Sequence, residues 1–148
     1  MEYESQGLWK PARHLLYLCD VMEAVERGEV RRVMVFMPPR HGKSEVGSKK
    51  FPAWFLGRNP DKDIIISSYS ADLAYDFSRI ARNTLRDWGH LWGVEVASDS
   101  GAVGRWGIEG HRGGLVAAGV GGPITGRGAH VAIIDDPFKN WEEAASQT

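Results

Sequence analysis

Three short apolar runs, separated by helix-like segments, constrain the fold of this chain more than any other feature. The runs are RRVMVFM at 31–37, DIIISSYS at 63–70 and HVAIIDDP at 130–137. Each has the length and the β-branched composition of a buried strand. Strands that alternate with helices favour an α/β fold with a mainly parallel sheet flanked by helices.

Two of the segments around these runs have the periodicity of amphipathic helices. Residues 11–27 repeat apolar side chains at three- and four-residue steps, and Gly28 is placed to end that helix. Residues 71–88 carry an apolar face along their whole length. We therefore expect a helix before the first strand and another after the second.

The other segments are less regular. A helix is expected from about Lys43, disturbed by Pro52, because proline has no N–H to donate. Glycines interrupt residues 94–118, which predicts short strands and a hairpin there. Residues 119–128 read as a long glycine-rich loop that leads into the third strand.

Composition excludes several classes of protein. The 148 residues are enough for one domain, and the net charge of −1 gives no global positive field for nucleic acid, although 18 Lys and Arg residues leave room for a local basic surface. The single cysteine, Cys19, excludes an internal disulfide, and the five histidines lack zinc-site spacing. No apolar run approaches the roughly 20 residues that cross a bilayer, and the polar start is unlike a signal peptide.

The segment MPPRHGKS at 37–44 joins the first predicted strand to the helix that follows. It ends like the phosphate-binding pattern G-x-x-x-x-G-K-[ST], but Met37 stands where the first glycine belongs. Amides at a helix N-terminus bind phosphate oxygens, and Gly42 allows the backbone to approach them. Lys43 would reach the β- and γ-phosphates, and the Ser44 hydroxyl would coordinate Mg²⁺. The alternative is an ordinary turn that contains Gly-Lys-Ser.

The third apolar run ends in two aspartates with the complementary chemistry. A buried strand would deliver Asp135 to the carboxyl edge of the sheet, where open α/β sheets bind their ligands. Asp135 would hold Mg²⁺ through its water shell, and Asp136 would polarise the attacking water. An Asp-Asp-Pro turn at the end of a strand is the structural alternative.

Two arginines are candidates for stabilising charge on the transferred phosphate. Arg40 lies inside the loop and could act within its own chain. Arg127, in the sequence TGRG, lies on the glycine-rich loop and could reach a neighbouring subunit. The alternatives are a backbone or helix-end contact for Arg40 and a solvated loop cation for Arg127.

Three segments together resemble the large terminase subunit of tailed bacteriophages, the motor that pumps DNA into a procapsid. They are PPRHGKS, SYSADLA and GVGGPITGRGA running into IIDDPFKN, and the resemblance spans roughly residues 10–140. In that family the N-terminal half is an additional-strand (ASCE) P-loop ATPase, and the C-terminal half is an RNase H-like nuclease. The family's loop lacks the first glycine and carries an arginine, which accounts for Met37 and Arg40.

The resemblance implies ATP and Mg²⁺ as cofactors and a set of site residues. Residues 10–14 would lie near the adenine. The implied nucleotide contacts are Pro39, Arg40, His41, Gly42, Lys43 and Ser44, the metal contacts are Ser44 and Asp135, the catalytic acid position is Asp136, and the trans-acting finger is Arg127.

The family's longer architecture implies what this chain lacks. The sequence ends at Thr148, soon after Asp136, so residues 1–148 are expected to be a partial P-loop ATPase domain, incomplete at the C-terminus and without a nuclease domain. The implied partners are double-stranded DNA, the portal protein, the small terminase subunit and identical subunits in a ring, in the host cytoplasm and away from membranes. The alternatives are another nucleic-acid translocase or helicase-like ATPase, and a non-catalytic nucleotide-binding fragment.

Overall fold

A computed structural model describes residues 6–7, 9–124 and 126–145. The predicted alternation of strands and helices is present only around β1 and α3, because the other four strands follow one another without an intervening helix. The helical elements are α1 (Arg13–Glu26), a π-helical segment (Glu45–Lys50), α2 (Phe51–Arg58), α3 (Ala71–Trp88), a 3₁₀ turn (Gly89–Leu91) and α4 (Trp141–Ala145), and the strands are β1 (Asp63–Ser68), β2 (Val96–Ala102), β3 (Arg105–Ile108), β4 (Gly114–Gly119) and β5 (Val131–Ile134).

The five strands form one sheet in the order β2-β3-β4-β1-β5. β1 pairs in parallel with both β4 and β5, so that Ile64 lies between Leu115 and Val131. β3 pairs antiparallel with β2 and with β4. The predicted hairpin is therefore confirmed, but the sheet is mixed rather than mainly parallel. Its connections explain this, because the short turns around β3 cannot supply the crossover that parallel neighbours need.

Helix α3 covers the sheet and builds the core. Its bounds match the predicted segment, and the Ser70 hydroxyl caps it by accepting a hydrogen bond from the Leu73 N–H. The buried face of α3 packs against alternate residues of β1 and β4, as a half-buried sheet requires. The cluster includes Ala74, Phe77, Ala81 and Leu85 of α3 with Ile64, Ile66, Leu115 and Ala117 of the sheet.

A buried serine and tryptophan tie β3 to this helix. Trp106 of β3 donates from its indole nitrogen to the Ser78 hydroxyl at 2.9 Å, and Ser78 donates in turn to the Val103 carbonyl. Both side chains are buried. The contact satisfies the polar atoms of two core residues.

Residues 31–37 do not form the predicted buried strand. The segment has no strand pairing, and the side chains of Met34 and Phe36 are 83% and 84% exposed. A groove of about 590 Å³, lined by Val33, Val35 and Ile133 among others, lies between this segment and β5. A strand is stabilised by hydrogen bonds to a neighbour, and within the described residues β5 pairs with β1 alone. The prediction was wrong because apolar composition does not supply that neighbour.

The helix predicted from about Lys43 begins there and is irregular, as expected near Pro52. Residues Glu45–Lys50 are wound as a π-helix before α2 begins at Phe51, whose N–H donates to the Val46 carbonyl. Such single π turns interrupt α-helices and often occur at functional sites. In the part of the chain that the structure describes, no helix is both long and apolar enough to cross a bilayer.

Candidate functional site

The loop at 38–44 makes a tight turn before the helix. Arg40 and Gly42 both have left-handed backbone, with φ of 62° and 90°, and the His41 ring nitrogen Nδ1 lies 2.8 Å from the Pro39 carbonyl oxygen. The helix begins with the Val46 N–H donating to the Gly42 carbonyl at 3.0 Å. The loop therefore ends at a helix N-terminus, where unpaired amides and the helix dipole favour an anion.

Lys43 extends from this loop to both aspartates. Its Nζ lies 2.8 Å from Asp135 Oδ1 and 2.7 Å from Asp136 Oδ1. Asp135 is buried at 4% exposure, whereas the Asp136 side chain is 57% exposed. Two carboxylates against one ammonium leave the cluster with one negative charge. The sequence-predicted convergence of the loop with the acidic pair is therefore present.

The buried carboxylate of Asp135 is held ionised by its partners. Burial alone raises its pKa, but hydrogen bonds from Lys43, Ser48 and Ser44 outweigh burial and hold the pKa below its usual range. Burial likewise lowers the pKa of Lys43, and the hydrogen bonds to Asp135 and Asp136 reverse the effect, so that this pKa is raised. Each charged form stabilises the other at neutral pH.

The end of β1 fixes where the acidic pair lies. The Asp135 N–H donates to the Ser67 carbonyl at 3.0 Å, which continues the β1–β5 pairing by one residue. The Asp136 carbonyl then accepts from the Tyr69 N–H at 3.1 Å. Asp136 adopts a positive φ of 48°, which aspartate tolerates better than most residues. The backbone thus turns at Asp136 and presents both carboxylates at one edge of the sheet.

Comparison with known families adds a second line of evidence. The family model described as terminase large subunit, T4likevirus-type, N-terminal matches residues 34–148. The chain belongs to this terminase family. The match covers the loop, the acidic pair and the glycine-rich segment between them, so the resemblance to large terminase subunits is confirmed. Searches of curated proteins and of solved structures found no significant match.

The terminase site has a donor set that suits a hard cation beside a phosphate. The Asp135 carboxylate and the Ser44 hydroxyl lie together, and both supply the oxygen ligands that Mg²⁺ prefers. That Lys43 already contacts both carboxylates indicates that this position attracts positive charge. The residues present therefore fit the expected magnesium and phosphate groups.

The two candidate arginines lie in different places. Arg40 is an exposed residue within the loop. Arg127 lines a separate cavity of about 270 Å³ with Arg105, Arg112 and the start of β1 at Asp63. Because Asp63 is at the opposite end of β1 from the residue that pairs with Asp135, the structure does not bring Arg127 to the acidic pair of its own chain.

The start of α1 contacts the loop. His14 Nε2 lies 3.1 Å from the His41 carbonyl oxygen, and the two imidazole rings are 6.0 Å apart. The terminase resemblance implies that residues 10–14 lie near the adenine, and that role stays a prediction.

Sequence reasoning missed Ser48. Its buried hydroxyl donates to Asp135 Oδ2 at 2.6 Å. Ser48 follows Ser44 by four residues, a spacing that places two side chains on one face of a helix. That spacing next to the Gly-Lys-Ser segment was the available signal.

Proposed function

We propose that this chain is the ATP-hydrolysing part of a terminase large subunit, with a P-loop fold at its phosphate site. The observation that supports this most strongly is the meeting of Lys43 with Asp135 and Asp136 at one edge of the sheet. Membership in the terminase family supports a DNA-packaging role. A chance Gly-Lys-Ser turn would have no reason to lie against an acidic pair more than 90 residues later.

Binding would redistribute the charges of the site. The amides of residues 39–44 would donate to the phosphates, and Lys43 would exchange its carboxylate partners for phosphate oxygens. Ser44 and Asp135 would hold Mg²⁺. When bound, Mg²⁺ neutralises phosphate charge and orients the terminal phosphoryl group.

Hydrolysis would depend on positioning rather than on a covalent intermediate. Asp136 is exposed and follows Asp135, the proposed metal ligand. It would lose its contact with Lys43 when that lysine moves to the phosphates. It would then orient the attacking water and accept its proton, so that ATP and water give ADP and phosphate. Arg40 would stabilise charge from within the chain, and Arg127 would do so at a neighbouring subunit of the ring.

The hydrolysis would drive double-stranded DNA through a ring of identical subunits. The portal protein and the small terminase subunit are the partners that family membership supports. DNA would be held through its phosphates by Lys and Arg side chains, without reading of bases.

A nucleotide titration tests the proposal. Mg²⁺-ATP is titrated against the wild type, Lys43→Ala and Lys49→Ala by calorimetry. Lys49 is the matched control, because it lies in the helical segment just after the loop and contacts Glu45 at 2.7 Å instead of the aspartates. Loss of one charged hydrogen-bonding partner, about 1.5–3 kcal/mol, predicts affinity reduced by roughly tenfold or more in Lys43→Ala only. Equal affinity in all three proteins would refute the phosphate site.

A further inference from the structure

The two oxygens of the Asp135 carboxylate have different partners. Oδ1 faces the loop and contacts Lys43 Nζ at 2.8 Å, whereas Oδ2 accepts from the Ser48 hydroxyl at 2.6 Å. Ser48 is 3% exposed, and Asp135 is similarly buried. A short hydrogen bond to an ionised group in such a setting is among the stronger kinds in proteins.

The helical segment after the loop brings two hydroxyls to this one carboxylate. The Ser48 hydroxyl donates to Asp135, and the Ser44 hydroxyl, four residues earlier, lies close enough to the same carboxylate to help lower its pKa. Ser44 adjoins Lys43 and belongs to the loop end, where it would bind Mg²⁺. Ser48 lies one turn further along, in the π-helical segment, and contacts Oδ2, whereas Lys43 contacts Oδ1.

An aspartate carboxylate can rotate about its side-chain bonds unless something holds it. With Oδ2 bound by Ser48, Oδ1 is the oxygen left to face the loop and its cation. Loss of the Ser48 hydroxyl would leave Oδ2 buried without this donor, and the carboxylate would turn toward Lys43 or Ser44 to recover a partner. The orientation of the metal-binding oxygen therefore depends on Ser48.

We propose that Ser48 is a positioning residue for the metal site: its hydroxyl fixes Asp135 Oδ2 so that Oδ1 points to the cation. The inference rests on the proposed nucleotide function and adds a residue to it. Groups that orient a metal ligand typically change metal affinity or activity by about 10- to 100-fold when removed. Ser48 would accordingly affect binding that requires Mg²⁺ and leave metal-free binding almost unchanged.

A serine elsewhere in the core provides the control. Ser78 is also buried and hydrogen-bonded, to Trp106 and the Val103 carbonyl, and it does not contact the acidic pair. Ser78→Ala removes a buried hydroxyl of the same kind and is expected to lower the melting temperature as Ser48→Ala does. Comparing it with Ser48→Ala separates orientation of Asp135 from general stability.

The experiment measures how much Mg²⁺ strengthens ADP binding. The dissociation constant of ADP is measured in Mg²⁺ and in EDTA for the wild type, Ser48→Ala, Ser48→Thr and Ser78→Ala. We expect the Mg²⁺ enhancement to fall about tenfold or more in Ser48→Ala, with the EDTA value within about twofold of wild type. Ser48→Thr, which keeps the hydroxyl, restores most of the enhancement, and Ser78→Ala retains all of it.

The outcomes distinguish this inference from the proposed function. If Mg²⁺ strengthens ADP binding equally in the wild type and in Ser48→Ala, the role of Ser48 is overturned and the nucleotide site remains. A wild type that binds no nucleotide overturns both. If Ser48→Ala does not fold, Ser48→Cys replaces it, since a thiol is a weak donor. An enhancement in Ser48→Cys equal to that of the wild type would then refute the inference.

Discussion

Replacing Lys43 by methionine should destabilise the protein strongly around neutral pH. The change keeps a long apolar side chain and removes the charge that faces Asp135. Breaking a buried ion pair on one side costs about 3–5 kcal/mol. The value here belongs at the lower end, about 3 kcal/mol, because Ser48 still donates to Asp135 and the exposed Asp136 adds little.

The pH dependence follows from the directions of the two pKa shifts. The pKa of Asp135 is lowered from 3.8 by folding, so its contribution is present above that value and is lost as pH falls through the lower folded pKa. The pKa of Lys43 is raised from 10.5, so its contribution is present below that value and is lost as pH rises through the higher folded pKa. The difference in unfolding free energy between the wild type and Lys43→Met should therefore be largest between about pH 4 and pH 10 and smaller on either side.

Urea unfolding, followed by tryptophan fluorescence at pH 7 and at pH 3, measures this difference. For a chain of this size, 3 kcal/mol corresponds to a loss of roughly 6–12 °C in melting temperature. Lys49→Met is the control, since its i, i+4 contact with the part-exposed Glu45 is worth about 0.5 kcal/mol or less. Equal destabilisation by the two substitutions, or an undiminished Lys43→Met effect at pH 3, would refute the reasoning.

Three further predictions concern the site. Asp136→Asn in the full-length terminase should keep ATP affinity and lose about 100-fold or more in hydrolysis rate, measured by phosphate release; unchanged turnover excludes it as the base. Gly42→Ala should cost about 1–3 kcal/mol in unfolding free energy, because its φ is 90° and a new Cβ would lie 2.8 Å from an α1 side chain. Gly47→Ala should leave the unfolding free energy unchanged, because Gly47 has open space around it. Equal losses for the two substitutions would contradict the backbone strain inferred at Gly42. Mixing Arg127→Ala with Lys43→Ala subunits in the assembled full-length motor should restore part of the hydrolysis; no rescue at any ratio argues against a role between subunits.

Local signals in the sequence predicted α1, α3 and the place of the acidic pair at the end of a strand. The apolar face of α3 recurs within a single segment, so its bounds needed no knowledge of distant residues. The meeting of Lys43 with Asp135 was predicted from the Gly-Lys-Ser pattern and the acidic end of β5, and it is present although the strand expected before the loop does not form.

Features that depend on distant neighbours could not be predicted in the same way. The run at 31–37 has the composition of a strand, but pairing requires a partner, and none of the described strands pairs with it. The mixed sheet arises from the short turns on either side of β3. The sequence predicted short strands in this region but not whether each would run parallel or antiparallel to its neighbour. Ser48 belongs to no motif, and apart from its spacing from Ser44 only its contact with Asp135 shows its importance.

The most direct test of the whole account is an experimental structure with Mg²⁺ and a non-hydrolysable ATP analogue. The account predicts that Lys43 leaves the carboxylates for the phosphate oxygens, and that Ser44 and Asp135 lie around the magnesium. A triphosphate bound away from residues 39–44, or Lys43 still paired with Asp135 and Asp136 beside a bound nucleotide, would contradict it.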